Sequence, residues 1–537
     1  MSGWNFADVW EVIAETFPEA PAQIQGDRRY TWQQFDERAD GIGHWLIGIG
    51  AQQQDKVAQY MYNCPEYLES MFGIYKSATV PVNTNYRYAD EELLYLWDNA
   101  DAVAVVFHGT FSERIGALRD KLPKMKGYLW VDDGSGPCPD WADKYEDAAA
   151  LSKGRCVPEW GRSGDDLYML YTGGTTGMPK GVMWRQDDIF ASLTCLGPTA
   201  RYPEIGTLDD IRATLTMPGG GAIPAAPLMH GTGCFTSFTT LNTAGFIVTL
   251  ENRTYSPDEL LDTIEREGVN IVAIVGDAFA KPMLRALDAQ PDRWNLSSLL
   301  ALVSSGVMWA EETKQGLLKH HAGMLLMDAF SSSEALGMGS SVSSAAGAAH
   351  TAKFTLGENA MVIKEDGSQV EPGSGDIGMV AVKGRTPVGY YKDQAKSDAT
   401  FKVIDGARYS IPGDFATVAA DGTLELLGRG SVCINTGGEK VFPEEVEEVL
   451  KTAPNVRDAV AVGVPDEKFG QAIVAMVELA PDATLDEGEI ITHVKSKLAS
   501  FKAPKRVLQV PTIGRAANGK VDYKRLTSEA TERVGAS

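Results

Sequence analysis

Short apolar runs alternate with amphipathic stretches through the first half of the chain, and this rhythm restricts the fold more than any other feature. Residues 56–61 read as a strand, and residues 66–76 as a helix carrying Tyr67, Met71 and Tyr75 on one side. Residues 79–82 are short and β-branched, residues 90–97 are helical, and residues 102–107 form a strongly apolar strand. The segment Thr31-Trp-Gln-Gln34 predicts a capping box opening a helix that runs toward Trp45. The pattern continues with a strand at 245–250, a helix at 257–267, and strands at 270–275 and 300–304. Such alternation predicts a mostly parallel sheet covered on both faces. With 537 residues the chain needs more than one core, about three or four domain-sized units.

Near Gly428-Arg-Gly430 the character changes. Gly437-Gly438 is followed by a charged helix starting at Pro443, then strand-like runs at 459–464 and 472–479 and a helix at 487–498. A small α+β domain of about a hundred residues is expected here. The predicted division is 1–429 and 430–537. The Ala/Ser/Gly stretch 340–349 is expected to be a loop.

Residues 171–181 read Tyr-Thr-Gly-Gly-Thr-Thr-Gly-Met-Pro-Lys-Gly. The apolar run 167–170 before them predicts a strand ending in a loop. Gly173, Gly174 and Gly177 let the backbone approach a ligand. Thr172, Thr175 and Thr176 supply hydroxyls, and Lys180 supplies positive charge. Successive N–H groups in such a loop make an anion-binding concavity suited to a polyphosphate. A Walker A loop closes on Gly-Lys-Ser/Thr, whereas here Pro179 precedes Lys180 and Gly181 follows it.

The formal net charge of -23 speaks against nucleic acid as a partner, and an anionic nucleotide needs a local basic site. The six cysteines show no CxxC spacing, so neither zinc nor a disulfide framework is expected, and a reducing cytoplasm fits. The first residues lack the pattern of a signal peptide, and no apolar run reaches the length of a membrane span.

The loop pattern Thr-Gly-Gly-Thr-Thr-Gly-x-Pro-Lys-Gly resembles the phosphate loop of the adenylate-forming superfamily. Asp328-Ala-Phe-Ser-Ser-Ser-Glu334 resembles its Tyr-Gly-x-Thr-Glu motif, with Phe330 for the tyrosine, Ser331 for the glycine and Ser333 for the threonine. The resemblance implies that Phe330 packs on adenine, Ser333 touches the α-phosphate, and Glu334 helps hold magnesium together with Thr175. Asp328, Ala329, Ser304 and Gly306 are counted among the nucleotide contacts. Asp414, in Tyr-Ser-Ile-Pro-Gly-Asp, matches the motif whose carboxylate takes both ribose hydroxyls, and Arg429 would close over the ribose. Gly519-Lys520 matches the element that carries the adenylation lysine. Gly437 and Gly438 would line the path of the pantetheine thiol. Ser431 stands where relatives carry an aspartate or lysine hinge residue.

Pro227-Leu-Met-His230 resembles the segment at the acyl-pocket entrance, where His230 acts, with Phe235 and Phe238 as lining. Segments 275–277 and 304–309 should form other walls. Gly-Val-Met-Trp-Arg185, Gly-Tyr-Tyr-Lys392 and Val-Cys-Ile-Asn-Thr-Gly-Gly438 look most like fatty-acyl and steroid-carboxylate CoA ligases of actinobacterial type. The implied fold is α/β: a large N-terminal domain of αβ-layered sheets and a small mobile α+β C-terminal domain. The implied substrates are ATP with Mg2+, coenzyme A, and a medium- or long-chain or steroid side-chain carboxylic acid.

Three rivals carry weight: adenylation for a separate carrier protein, luciferase-like oxygenation, and a nucleotide-binding regulator without catalysis. Glu334, Asp414, Arg429 and Lys520 together argue against the last. The chain ends seventeen residues after Lys520, which predicts no fused carrier domain. Oligomeric state stays open, a homodimer included.

Overall fold

The computed structural model describes residues 3–535 except 152, 173–177, 198–199, 308, 348–351, 437–438, 467–469, 499 and 517–518. The predicted rhythm is present. One sheet of eight strands has the spatial order Gly389–Tyr390, Lys180–Arg185, Leu167–Thr172, Val80–Asn83, Lys56–Tyr60, Ala102–His108, Gly127–Val131, Asp143–Lys144. Six of them run parallel, and the two ending at Tyr390 and Arg185 are antiparallel at one edge. Ala102–His108 is buried along its whole length, as a strand covered on both faces must be. Helix Pro65–Lys76 is likewise buried on every side.

The second sheet changes character along its path. Pro21–Gln25, Phe246–Val248, Gly221–Pro224, Ile271–Ile274, Ala301–Ser305 and Leu325–Ser332 are parallel neighbours. From Ala335–Ser343 onward the pairing is antiparallel, through Lys353–Leu356, Leu424–Arg429, Asp414–Val418 and Gly378–Lys383. The expected loop at 340–349 is corrected here. Residues 340–343 belong to strand Ala335–Ser343, which alternates between core and solvent. Within 340–343 the inward positions are small, Ser341 and Ser343, so no apolar alternation marks that stretch in the sequence.

An aromatic core joins the two sheets. Phe6 and Trp10 meet Phe35, Phe72, Tyr75 and Phe238, with Phe6 and Tyr75 stacked at 5.2 Å. Phe238 comes from helix Gly231–Asn242, so the helix following His230 is anchored in this core.

The small C-terminal unit is α+β. Its sheet orders Glu439–Val441, Ile434–Thr436, Gly470–Leu479 and Val456–Asp466, with Arg506–Gln509 parallel to Gly470–Leu479. Helices Pro443–Leu450 and Glu487–Lys497 cover one face through Val446, Leu450, Ile490 and Val494. Helix Tyr523–Gly535 covers the other through Leu526 and Ala530. Pro443 opens its helix at the first turn, where its missing N–H costs nothing.

Candidate active site

Parallel strands end on the same side, so Ile271–Ile274, Ala301–Ser305 and Leu325–Ser332 deliver their following residues to one edge. That edge is where open α/β sheets take ligands. Gly306 leaves its strand at φ +92, in the left-handed region that glycine tolerates. Thr232 Oγ1 is the nearest atom to the space a side chain there would fill, at 3.9 Å. Ser304 is fully buried, and its Oγ accepts from the Gly276 N–H at 2.9 Å. Its hydroxyl therefore holds the turn into helix Gly276–Ala289.

Strands Leu167–Thr172 and Lys180–Arg185 form the hairpin that carries the expected phosphate loop. Thr172 pairs with Lys180 and Tyr171 with Gly181 in register. Gly173, Gly174, Thr175, Thr176 and Gly177 lie outside the described residues. Asn83 fixes the strand end on three sides: it accepts from Tyr171 N–H at 2.6 Å and donates to Tyr171 O at 2.9 Å and Met229 O at 2.7 Å. It thereby ties the loop to the residue preceding His230. Lys180 pairs with Asp393 at 2.7 Å, and Asp393 also caps helix Gln394–Thr400.

Glu334 sits in the tight turn between Leu325–Ser332 and Ala335–Ser343, buried to 9% exposure. Glu334 is thus neither solvated nor at the start of a helix. The Tyr390 hydroxyl donates to its Oε1 at 2.9 Å. Ser410 Oγ donates to its backbone carbonyl at 2.6 Å, and the Trp184 indole donates to Ser333 O at 2.9 Å. Trp184 and Tyr390 come from the adjacent strands Lys180–Arg185 and Gly389–Tyr390, so the glutamate turn and the phosphate hairpin are one framed unit. Phe330 lies against Phe354 at 5.3 Å and is partly exposed, as is Ala329. Asp328, two residues before Phe330, forms an ion pair with fully buried Lys314.

Asp414 and Arg429 are direct cross-strand partners in the hairpin of Asp414–Val418 and Leu424–Arg429. Their fourteen-plus-one spacing in sequence is the length of that hairpin. Gly430 N–H returns to Gly413 O at 3.1 Å. Gly437 and Gly438 lie outside the described residues.

The small unit reaches into the cleft with its terminal loop. A side-chain carbon built on Gly519 would stand 2.7 Å from Val307 Cγ2 and 3.0 Å from Val275 Cγ1. Gly519 is therefore seated on the strand-end edge. Arg515 pins this loop from behind through two bonds to Asp458, at 2.7 and 2.8 Å. Lys520 is exposed and close enough to His230 for its charge to act on the imidazole. Burial, aided by Lys520 and Arg87, pushes the His230 pKa down to about 3. His230 is thus a neutral ring near pH 7, with Lys520 and Arg87 the cations that act on it.

Among the described residues no three or more His, Cys, Asp or Glu side chains gather into a metal cage. Magnesium is commonly bound by one or two carboxylates together with substrate phosphates. Glu334, a single carboxylate held by the Tyr390 hydroxyl, is a donor of the kind that fits such binding. Sequence reasoning missed Asn83, Asp393, Tyr390, Lys314 and Arg515 as supports. Tyr390 lies inside Gly-Tyr-Tyr-Lys392 and Arg515 stands shortly before Gly519-Lys520, but their partners are far away along the chain.

A family model described as AMP-binding enzyme matches residues 10–391, and one described as AMP-binding enzyme C-terminal domain matches residues 445–520. The medium/long-chain-fatty-acid–CoA/3-oxocholest-4-en-26-oate–CoA ligase of Mycolicibacterium smegmatis is 38% identical, over 98% of this chain and 97% of that protein. The 3-oxocholest-4-en-26-oate–CoA ligase of Rhodococcus rhodochrous is 38% identical, over 97% and 95%. Among solved structures, anthranilate CoA ligase AuaEII with anthranoyl-AMP superposes with TM-score 0.84 at 21% identity, over 100% of this chain and 99% of that one. ATP-bound MatB from Rhodopseudomonas palustris gives 0.81 at 24%, over 99% and 100%. These two show the shared fold. The chain belongs to the AMP-binding enzyme family and is an AMP-forming acyl-CoA synthetase, an acid–thiol ligase.

Proposed function

We propose that this synthetase uses Lys520 to join a carboxylate to the α-phosphate of ATP, and that its acid is a medium- or long-chain fatty acid or a steroid side-chain acid. A carboxylate and a triphosphate repel each other, so a cation must stand between them at the in-line attack. Lys520 is that cation, a compact point charge on a flexible stem. The single observation that supports this reading best is the seat of Gly519 on Val275 and Val307, with Lys520 beside His230. Neutral His230 guards the acyl side without competing for the carboxylate's charge.

The nucleotide's base lies on Phe330, its ribose on Asp414 and Arg429, and its phosphates at the hairpin carrying Thr172 and Lys180. Ser333 stands beside the α-phosphate. Glu334 would hold magnesium, which when bound neutralises phosphate charge. Tyr390 orients the Glu334 carboxylate for that task. The acyl-adenylate is a mixed anhydride, and a thiol displaces AMP from it without a protein nucleophile. Coenzyme A supplies the thiol along Gly437 and Gly438, once the small unit has turned about a hinge at residues 429–430. The acid class rests on the relatives, named for medium- and long-chain fatty acids and for 3-oxocholest-4-en-26-oate.

The test is pyrophosphate release over a panel of acids with and without coenzyme A, with the nucleotide product identified. AMP with acid-dependent pyrophosphate is expected. ADP as product would end the proposal, and a short-chain preference would overturn the acid class alone.

A further inference from the structure

A fully buried lysine needs a reason, because taking an ammonium out of water costs several kcal/mol unless it is well paired. Lys314, on helix Glu311–His320, has 0% side-chain exposure. Its ammonium lies 5.6 Å from the centre of the Trp309 ring and is ion-paired with Asp328. A pair of well-packed apolar residues would hold two elements together as well or better. The pair's position suggests another use.

Asp328 pairs with Ser304 near the ends of the parallel strands. Side chains alternate along strand Leu325–Ser332, so Leu326, Asp328 and Phe330 share a face. Leu326 is in the core under the helices, and Phe330 reaches the partly exposed end. Asp328 lies between them, its side chain 11% exposed. Burial pulls its carboxyl toward the protonated form, and the charges of Asp277 and Glu448 pull the same way. Asp277 comes from helix Gly276–Ala289, where Lys281 pairs with it at 3.2 Å. Glu448 comes from helix Pro443–Leu450 of the small unit, where Lys451 pairs with it at 3.2 Å. Lys314 opposes all three influences from directly beside the carboxylate.

The protonation state of Asp328 decides what it recognises. An ionised carboxylate only accepts hydrogen bonds, whereas a protonated one also donates. Adenine presents an amino donor at its 6-position, and a 6-oxopurine presents an acceptor there. We propose that Lys314 is a positioning residue for base selection: it holds Asp328 as an anion that accepts from the 6-amino group and turns away a 6-oxopurine. This rests on the proposed reading that the base lies against Phe330.

The experiment compares kcat/KM for ATP and for inosine triphosphate in acid-dependent pyrophosphate release, on the acid and alkaline sides of neutrality. Asp328→Asn, whose amide can turn to donate, should lower the ATP preference about tenfold at both pH values, the size of a lost hydrogen bond to a charged group. Lys314→Met should lower it chiefly on the acid side, where Asp328 takes up a proton, and Lys314→Arg should restore it. The double variant Lys314→Met/Asp328→Asn should match Asp328→Asn alone, since Lys314 acts through Asp328. That comparison stands even if Lys314→Met alone does not fold.

A folded Lys314→Met with unchanged preference, beside an altered Asp328→Asn, would overturn the role of Lys314 and leave the nucleotide site intact. A double variant that departs from Asp328→Asn would do the same. If Asp328→Asn itself changes nothing, the base does not lie at Asp328, and the nucleotide placement falls as well.

Discussion

Replacing Gly519 with alanine should slow the first half-reaction and spare the second. The added methyl would stand 2.7 Å from Val307 Cγ2 and 3.0 Å from Val275 Cγ1. Carbon atoms prefer about 3.5–4.0 Å, so the loop or the two valines must yield. Val275 is 2% exposed and belongs to the packed layer beneath the strand ends, which leaves it little room. Overpacking of this kind costs about 1–3 kcal/mol. At about 1.4 kcal/mol per decade, adenylation should fall roughly 5- to 150-fold. Gly519 also has φ +71, and a left-handed alanine costs about 1–2 kcal/mol. That strain belongs to the loop in any pose of the small unit, so it cancels from the ratio of the half-reactions. Acid-dependent pyrophosphate exchange reads the first half, and conversion of supplied acyl-adenylate with coenzyme A reads the second. Equal loss in both would refute the argument, and so would an unchanged first half.

Lys520→Ala should abolish adenylate formation, a loss of roughly a hundredfold or more, while thioester formation from supplied acyl-adenylate continues; parallel loss would contradict the division of labour. Tyr390→Phe removes the 2.9 Å bond to Glu334 and should raise the magnesium requirement about tenfold with thermal stability little changed, as magnesium titration of pyrophosphate release would show. Gly438→Leu should impair the coenzyme A half more than adenylation, read by the same pair of assays. Asp36→Asn should stabilise the fold near pH 8. Burial lifts the Asp36 carboxyl to about 6 against a usual 3.8, so its protonated form favours the fold below pH 4 and that advantage is lost as pH rises through 6. Melting curves across pH should show the variant's gain growing from pH 4 to pH 7, and a constant gain would count against this sign.

Local signals were legible where a few neighbouring residues carry the whole cause. Thr31 and Gln34 form both bonds of the expected capping box, at 3.2 and 2.9 Å. The helix expected at 257–267 has those bounds, with Ser256 capping it and Gly268 ending it at φ +62. The strand expected at 102–107 extends by one residue, to His108. The antiparallel half of the large sheet was not legible. Apart from Ala335–Ser343 its strands are short, and serine or glycine fills several of their inward positions. Hairpins such as Asp414–Val418 with Leu424–Arg429 are joined to the rest of the sheet by distant pairings, Phe354 with Leu424 and Gly378 with Ala416, for which neither periodicity nor propensity gives a signal.

The site divides in the same way. Its motifs were readable because each is a contiguous run, but the groups that set their charge are remote. Asp393 meets Lys180 across 213 residues, and Tyr390 meets Glu334 across 56. This has a consequence for a chain of net charge -23 that must attract a triphosphate. Lys180 is matched by Asp393, Lys314 is matched by Asp328, and His230 is held neutral. The large unit therefore offers little uncompensated positive charge from these three groups. On the proposed reading, Lys520 behind Gly519 brings charge of the small unit to the reacting phosphate. Binding of ATP and docking of the small unit should then favour each other, since linkage is reciprocal. In Lys520→Ala that coupling should weaken: saturating ATP should protect the 511–520 loop of the native chain from proteolysis, and protect the variant's loop less.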